Sequence, residues 1–155
     1  MYTYHYPRPA LTVDVVVFML LDDQLHILLI QRAQPPFEGS WALPGGFVGK
    51  EESLKSAAAR ELAEETGIEG CELEQFHTYG DPQRDPRGRV VSVAYCTYLP
   101  PETSISIREG GDAKQARWFP MTDLPDLAFD HSKIIQDALH HLRDRIASDQ
   151  FANNN

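Results

Sequence analysis

GGFVGKEESLKSAAARELAEETGI, residues 45–68, is the stretch on which the reading of this chain turns. Ser53 suits a helix N-cap and Gly67 stands where a C′ glycine belongs, so a helix is expected from Ser53 to Thr66. On it, Glu61, Glu64 and Glu65 lie at i, i+3 and i+4 and share an arc of about 100°. Three carboxylates held this closely repel one another, and their pKa values rise unless the cluster is solvated. A divalent cation removes that repulsion, and hard oxygen ligands suit Mg²⁺. Glu-x-x-Glu-Glu alone would read as an ordinary solvated helix face. The flanking residues change that reading. Arg60 is placed to pair with Glu52 across the start of the helix. Ala58, Ala59 and Leu62 supply an apolar side for docking. At Pro44-Gly45-Gly46 the backbone can come close to the carboxylates, and a bend there could aim a carbonyl oxygen at a metal.

Outward from this segment, Thr12–Leu21 is apolar and β-branched almost throughout and reads as a strand. Asp22-Asp23 is a turn, and Leu25–Gln31 completes a hairpin. Gln34–Gly39 is a loop, and Trp41–Val48 a short strand broken at Pro44. Strands are expected at Cys71–Tyr79, Val90–Tyr98 and Ala116–Pro120, with polar loops at Gly80–Arg89 and Pro100–Gly111. Asp130 is expected to cap a last helix running to about Ala147, with the apolar stripe Ile134, Ile135, Ala138, Leu142 and Ile146. Residues 1–10 read as an arm and residues 148–155 as a frayed tail. Interleaved strands with a middle and a terminal helix imply an α/β fold, a mixed sheet packed between helices.

The 155 residues fit one domain. No stretch approaches the ~20 apolar residues of a membrane span, and the N-terminus lacks signal-peptide order. The chain therefore reads as cytoplasmic, with no membrane partner. A net charge of −9 argues against nucleic-acid binding, which draws on basic surface. It leaves room for a phosphorylated small molecule held through cations. Cys71 and Cys96 lack paired spacing and read as buried free thiols. The six histidines show no zinc spacing, and His140-His141, being adjacent, face different directions on a helix.

The segment resembles the Nudix box, G-x5-E-x7-R-E-U-x-E-E-x-G-U, where U is a bulky aliphatic residue. Gly46, Glu52, Arg60, Glu61, Leu62, Glu64, Glu65, Gly67 and Ile68 meet its nine fixed positions. The resemblance implies the Nudix α/β/α sandwich and a metal site on Glu61, Glu64 and Glu65, with Glu61 and Glu65 the surest ligands and the Gly45 carbonyl a further one. Mg²⁺ would be the cofactor, with Mn²⁺ a possible substitute. Glu52 and Arg60, beside Gly46, are similar to the pair that braces the family's loop–helix–loop.

The implied chemistry is hydrolysis of a phosphoanhydride. A bridging cation offsets the phosphate charge that repels a nucleophile, and water attacks one phosphorus in line. A base must stand near that water. It can be a box glutamate or an acid of a later loop, here Glu109 or Asp112, though both also read as exposed loop acids. The segments Gly80–Arg89 and Leu127–His131 resemble the ADP-ribose pyrophosphatase branch. Arg84 and Arg87 are candidates for phosphate binding. They could equally pair locally with Asp81 and Asp85. Phe37, Trp41, Tyr4 and Tyr6 are candidates for stacking on a base.

ADP-ribose, cut to AMP and ribose 5-phosphate, is the expected substrate, and a homodimer is expected. Three alternatives compete: a nucleoside triphosphate pyrophosphohydrolase, a non-catalytic ADP-ribose sensor, and a structural module with an accidental glutamate cluster. The branch also resembles DNA-binding regulators that carry a winged helix. With the chain ending at Asn155 and the box carboxylates complete, that architecture is not expected.

Overall fold

In the computed structural model, which describes residues 1–101, 103–105 and 111–154, β1 (Ala10–Leu21) is the central strand. It pairs antiparallel with β2 (Gln24–Arg32) on one side and parallel with β6 (Val90–Leu99) on the other. β2 continues to β3 (Trp41–Ala42), and β6 to the edge strand β5 (Glu74–Tyr79), giving the order β3-β2-β1-β6-β5. Two further strands join off this path. β4 (Gly45–Phe47) pairs with β1, and β7 (Ala113–Pro120) with β2.

Helices α1 (Leu54–Thr66) and α2 (His131–Asn153) cover opposite faces. The reason is legible in β1. Its side chains alternate across the sheet: Val13, Val15 and Val17 pack with Ala57, Ala58 and Leu62 of α1. Val16 and Phe18 pack with Ile134, Ile135 and Ala138 of α2. A strand buried on both faces must be apolar at every step rather than every second one. The expected mixed sheet between helices is therefore the architecture observed.

Several local expectations shift. The buried alanines of α1 are Ala57 and Ala58, while Ala59 is exposed, because the docking stripe is centred on Leu62. Ser53 does cap α1, accepting from the Ser56 N–H at 3.2 Å. Gly67 ends the helix at φ 76°, and its N–H bonds to the Ala63 carbonyl. Cys71 precedes β5 and is half-buried. Asp130 stands at the N-cap position of α2 but makes no capping bond, since Arg84 takes its carboxylate. α2 runs past Ala147 to Asn153, so the expected tail is mostly helical. Beyond Leu142 its stripe leaves the core, and Ile146 is half-exposed. Residues 1–9 are exposed. Among the described residues, no helix is long and apolar enough to cross a membrane.

Leu62 is 1% exposed at the centre of the α1–sheet contact. Leu62→Ala is expected to destabilise the protein by about 2–5 kcal/mol. Ile146→Ala should cost under ~0.5 kcal/mol. Urea unfolding midpoints of the two variants check this, and equal losses would contradict the packing described.

Candidate active site

α1 runs beside β4, and between them and the segment leading into α2 lies a cleft of about 350 Å³. Glu61 and Glu65, one turn apart on α1, line one wall. Gly45 and Gly46 belong to that wall because of clearance. A Cβ on Gly46 would overlap the Glu61 carboxylate, and one on Gly45 would collide with the Val13 carbonyl. The Gly45 N–H donates to Glu65 Oε2 at 3.0 Å.

Glu65 is 7% exposed. Burial, reinforced by Glu61, Asp14 and Asp112, pushes its carboxyl up to about 9, although the Gly45 bond acts in the opposite sense. Burial also raises the Glu61 pKa, against the pull of Arg60. Asp112 lines the same cleft, so one of the two loop acids stands beside the glutamates. Glu109 lies outside the described residues. Glu64 is not part of the cleft lining. It is partly exposed and accepts from Arg60 Nη1 at 3.3 Å.

Arg60 joins the loop to the helix. Its Nε and Nη2 donate to the two Glu52 oxygens at 3.0 and 2.6 Å. Nη2 also donates to the Phe47 carbonyl, and Nη1 to Glu61 Oε1 at 2.9 Å. Glu52 also accepts from the Gly49 N–H, and these bonds, Arg60 foremost, hold its carboxyl down to about 2. Glu52 and Arg60 thus form a two-pronged ion pair.

The cleft is also lined by cationic and aromatic side chains. Phe129 lines it at φ 52°, a left-handed conformation that costs a bulky residue energy. The guanidinium carbons of Arg32 and Arg87 lie 5.0 and 5.2 Å from its ring centroid. Arg32 donates to the Pro36 and Gln34 carbonyls and, among the described residues, has no carboxylate in ion-pair contact. Its pKa is lowered by burial and then by Arg87. Two guanidiniums that repel within one cleft favour an anion beside them.

Arg87 pairs locally with Asp85, Nη2 to Oδ2 at 2.7 Å, yet still faces the cleft. Arg84 also lines the cleft. Its side chain is 4% exposed and forks onto Asp130 at 2.9 and 2.7 Å, so it ties the 80–89 loop to the start of α2. Phe37 and Trp41 are not brought into the cleft lining. Phe37 packs edge-on against Phe129, and Trp41 against Phe119. Tyr4 stacks with Tyr2 and Arg8 in the exposed arm, where Tyr6 is also exposed.

Asp14 and His131 also line the cleft; no motif announced Asp14, while His131 ends the Leu127–His131 segment. The Leu43 N–H donates to His131 Nδ1 at 2.9 Å, which places the ring proton on Nε2. Nε2 faces Asp14 Oδ1 at 3.3 Å, and Ser92 Oγ donates to the other Asp14 oxygen. Burial, foremost, lowers the His131 pKa, so the ring is neutral. Arg32 was missed, and Phe129, though inside the Leu127–His131 segment, was not singled out as a site residue. For Arg32 the one available signal was an arginine ending a strand whose preceding residues are apolar.

The family model described as NUDIX domain matches residues 10–138. The ADP-ribose pyrophosphatase of Methanocaldococcus jannaschii is 41% identical over 132 residues, covering 85% of this chain and 74% of that protein. The ADPR responsive transcriptional repressor NtrR of Acinetobacter baylyi is 38% identical over 144 residues. That match covers 90% of this chain and 57% of the repressor, so this chain spans little more than half its length. Among solved structures, the NUDIX domain of Shewanella oneidensis NrtR complexed with ADP ribose superposes with TM-score 0.83 at 38% identity. It covers 88% of this chain and 90% of that one.

The raised Glu65 pKa has a consequence for stability. Between its ordinary 4.5 and about 9, the folded protein holds a proton that the unfolded chain has released. The stabilisation is complete below that window and lost as pH rises through it. With chelator present, melting temperature should fall from about pH 6 to about pH 9 by at least ~3 °C more in the parent than in Glu65→Gln. Parallel melting curves would contradict a buried protonated Glu65.

Proposed function

This chain belongs to the Nudix family and is a Nudix hydrolase, and from that premise we propose that it uses Mg²⁺ to hydrolyse ADP-ribose to AMP and ribose 5-phosphate. The observation that carries the reading is one cleft lined both by the carboxyl groups of Glu61, Glu65 and Asp112 and by Arg32, Arg87 and Phe129. A diphosphate flanked by a base and a sugar needs both.

The donor set fits a hard divalent cation. The Glu65 carboxylate is desolvated beside Glu61, Asp14 and Asp112, an arrangement unfavourable when every group is charged and no cation is present. In the proposal Glu61 and Glu65 hold the metal, with the Gly45 carbonyl and Glu64 as further ligands and Mn²⁺ as a substitute. The bound cation supplies Lewis acidity toward the phosphate oxygens.

The residues of the chain do the rest. Glu52 and Arg60 keep the Gly46 turn and α1 in register, so that Glu61 and Glu65 face the cleft. Arg32 and Arg87 hold the diphosphate, and the Phe129 ring stacks on the base or ribose. Arg84 holds the wall in place through Asp130. Asp112 orients a water and takes its proton. The water oxygen bonds to one phosphorus, and the bridging oxygen leaves with the other phosphate. The proposal treats residues 1–155 as one domain acting in the cytoplasm, with a homodimer as the working state.

The similarity to ADP-ribose-responsive repressors keeps a binding-only reading in view. Incubation of the purified protein with Mg²⁺ and ADP-ribose separates the two. AMP and ribose 5-phosphate should appear, and Glu65→Gln should lower kcat by at least ~100-fold. Arg32→Ala should raise KM about tenfold with less effect on kcat. Calorimetric binding of ADP-ribose without AMP release would establish the sensor instead. Faster release of pyrophosphate from a nucleoside triphosphate would overturn the substrate. Sedimentation at micromolar concentration checks the dimer, and a monomer would remove it.

A further inference from the structure

Glu74, Cys96 and His141 meet on the α2 side of the sheet, and their donor atoms all lie within 4.8 Å of one another. Among the described residues this is the one group of three potential ligands drawn so close. Glu74 and Cys96 are direct partners across the β5–β6 pair, so their side chains emerge side by side. His141 comes from α2, two turns beyond Ile134 and one beyond Ala138, on the stripe that faces the sheet. A histidine among Ile134, Ala138 and Leu142 is a polar residue where packing alone would place an apolar one.

His141 Nε2 is buried and has no hydrogen-bond partner among the described residues. Glu74 Oε1 lies 3.4 Å away without bonding geometry. Cys96 is buried and unpaired. The hydrogen-bond inventory of the fold leaves both groups unused, and a buried nitrogen without a partner calls for an explanation.

We propose that Glu74, Cys96 and His141 form a binding site for a thiophilic divalent cation, Zn²⁺ first among them, separate from the nucleotide cleft. Thiolate, imidazole and carboxylate together suit zinc rather than Mg²⁺. Ligands of a tetrahedral zinc stand roughly 3.3–3.8 Å apart, so closure around an ion needs side-chain movements on the order of 1 Å. A groove of about 540 Å³ runs past these residues and gives water a route to the fourth position. It shares no lining residue with the catalytic cleft. The ion would clamp the outer half of α2 to the sheet edge, where the apolar stripe of the helix has run out.

Arg145 is the competitor. Its Nη1 donates to Glu74 Oε1 at 2.9 Å, and its positive charge opposes a cation. The side chain is 58% exposed and can swing into solvent, leaving Glu74 to the metal.

Cobalt(II), which reports thiolate ligation by a near-ultraviolet charge-transfer band, tests the site in reduced, chelator-stripped protein. One equivalent should produce the band, and Zn²⁺ should abolish it by displacement. Cys71→Ser should keep the band and Cys96→Ser should lose it. His141→Ala should weaken binding at least ~10-fold. Arg145→Ala removes only the competitor and should tighten binding several-fold, an outcome that misfolding cannot imitate. Absence of the band in the parent protein, its survival in Cys96→Ser, or weaker binding in Arg145→Ala would each overturn the proposal.

Discussion

Glu65 accepts a hydrogen bond from the Gly45 N–H in a place where almost no water reaches it, and the site is organised around that burial. For a carboxylate to lie there, α1 must press against β4, which requires Ala57, Ala58 and Leu62 on the sheet side of the helix. It also requires no side chain at Gly45 or Gly46, since a Cβ at either would occupy the space of the carboxylates or of β1. Apolar packing and missing side chains thus serve one end, a carboxyl group held out of solvent. Desolvation makes that group a strong ligand for a cation and a poor neighbour for other carboxylates without one.

Two arginines of different character hold the surroundings. Arg60 is a strut. Its guanidinium touches Glu52, Glu61, Glu64 and the Phe47 carbonyl, so the 46–53 turn and the helix move together. Arg84 ties the 80–89 loop to α2, and Asp130 is spent on that tie rather than on capping. Because Phe129 and His131 flank Asp130, this ion pair also sets where the aromatic wall and the Asp14 partner stand. Burial makes the tie stiff, since an unpaired guanidinium there would be costly. Arg32 and Arg87 keep their charge facing the cleft, which suits them to an anionic ligand rather than to holding the fold.

Two regions of α2 contrast with this economy. Near its start, His131 accepts at Nδ1 from the Leu43 N–H and holds Nε2 3.3 Å from Asp14. Ten residues on, His141 has a buried Nε2 without a hydrogen-bond partner among the described residues. The first is a core histidine held by its neighbours. The second stands beside a thiol and a carboxylate from two strands, and that difference in satisfaction, rather than residue type, separates structural from ligand-ready side chains.

The layered architecture and the glutamate-bearing helix were legible in the chain's residue pattern. Unbroken apolar character in β1 reports burial on both faces. The spacing of Glu52, Arg60, Glu61 and Glu65 reports one helical face and its brace, because those relations are local and follow from helical period. Tertiary structure alone decided which other residues join them. Asp14, Arg32, Asp112, Phe129 and His131 come from separate segments, and the register of β1, β2 and β7 brings them to one cleft. It likewise turned Arg84 inward, left Phe37 and Trp41 outside the lining, and set His141 over Cys96 and Glu74. Local periodicity is written in neighbouring residues, whereas convergence depends on strand register and helix docking, which arise only when distant segments bury their apolar faces against one another.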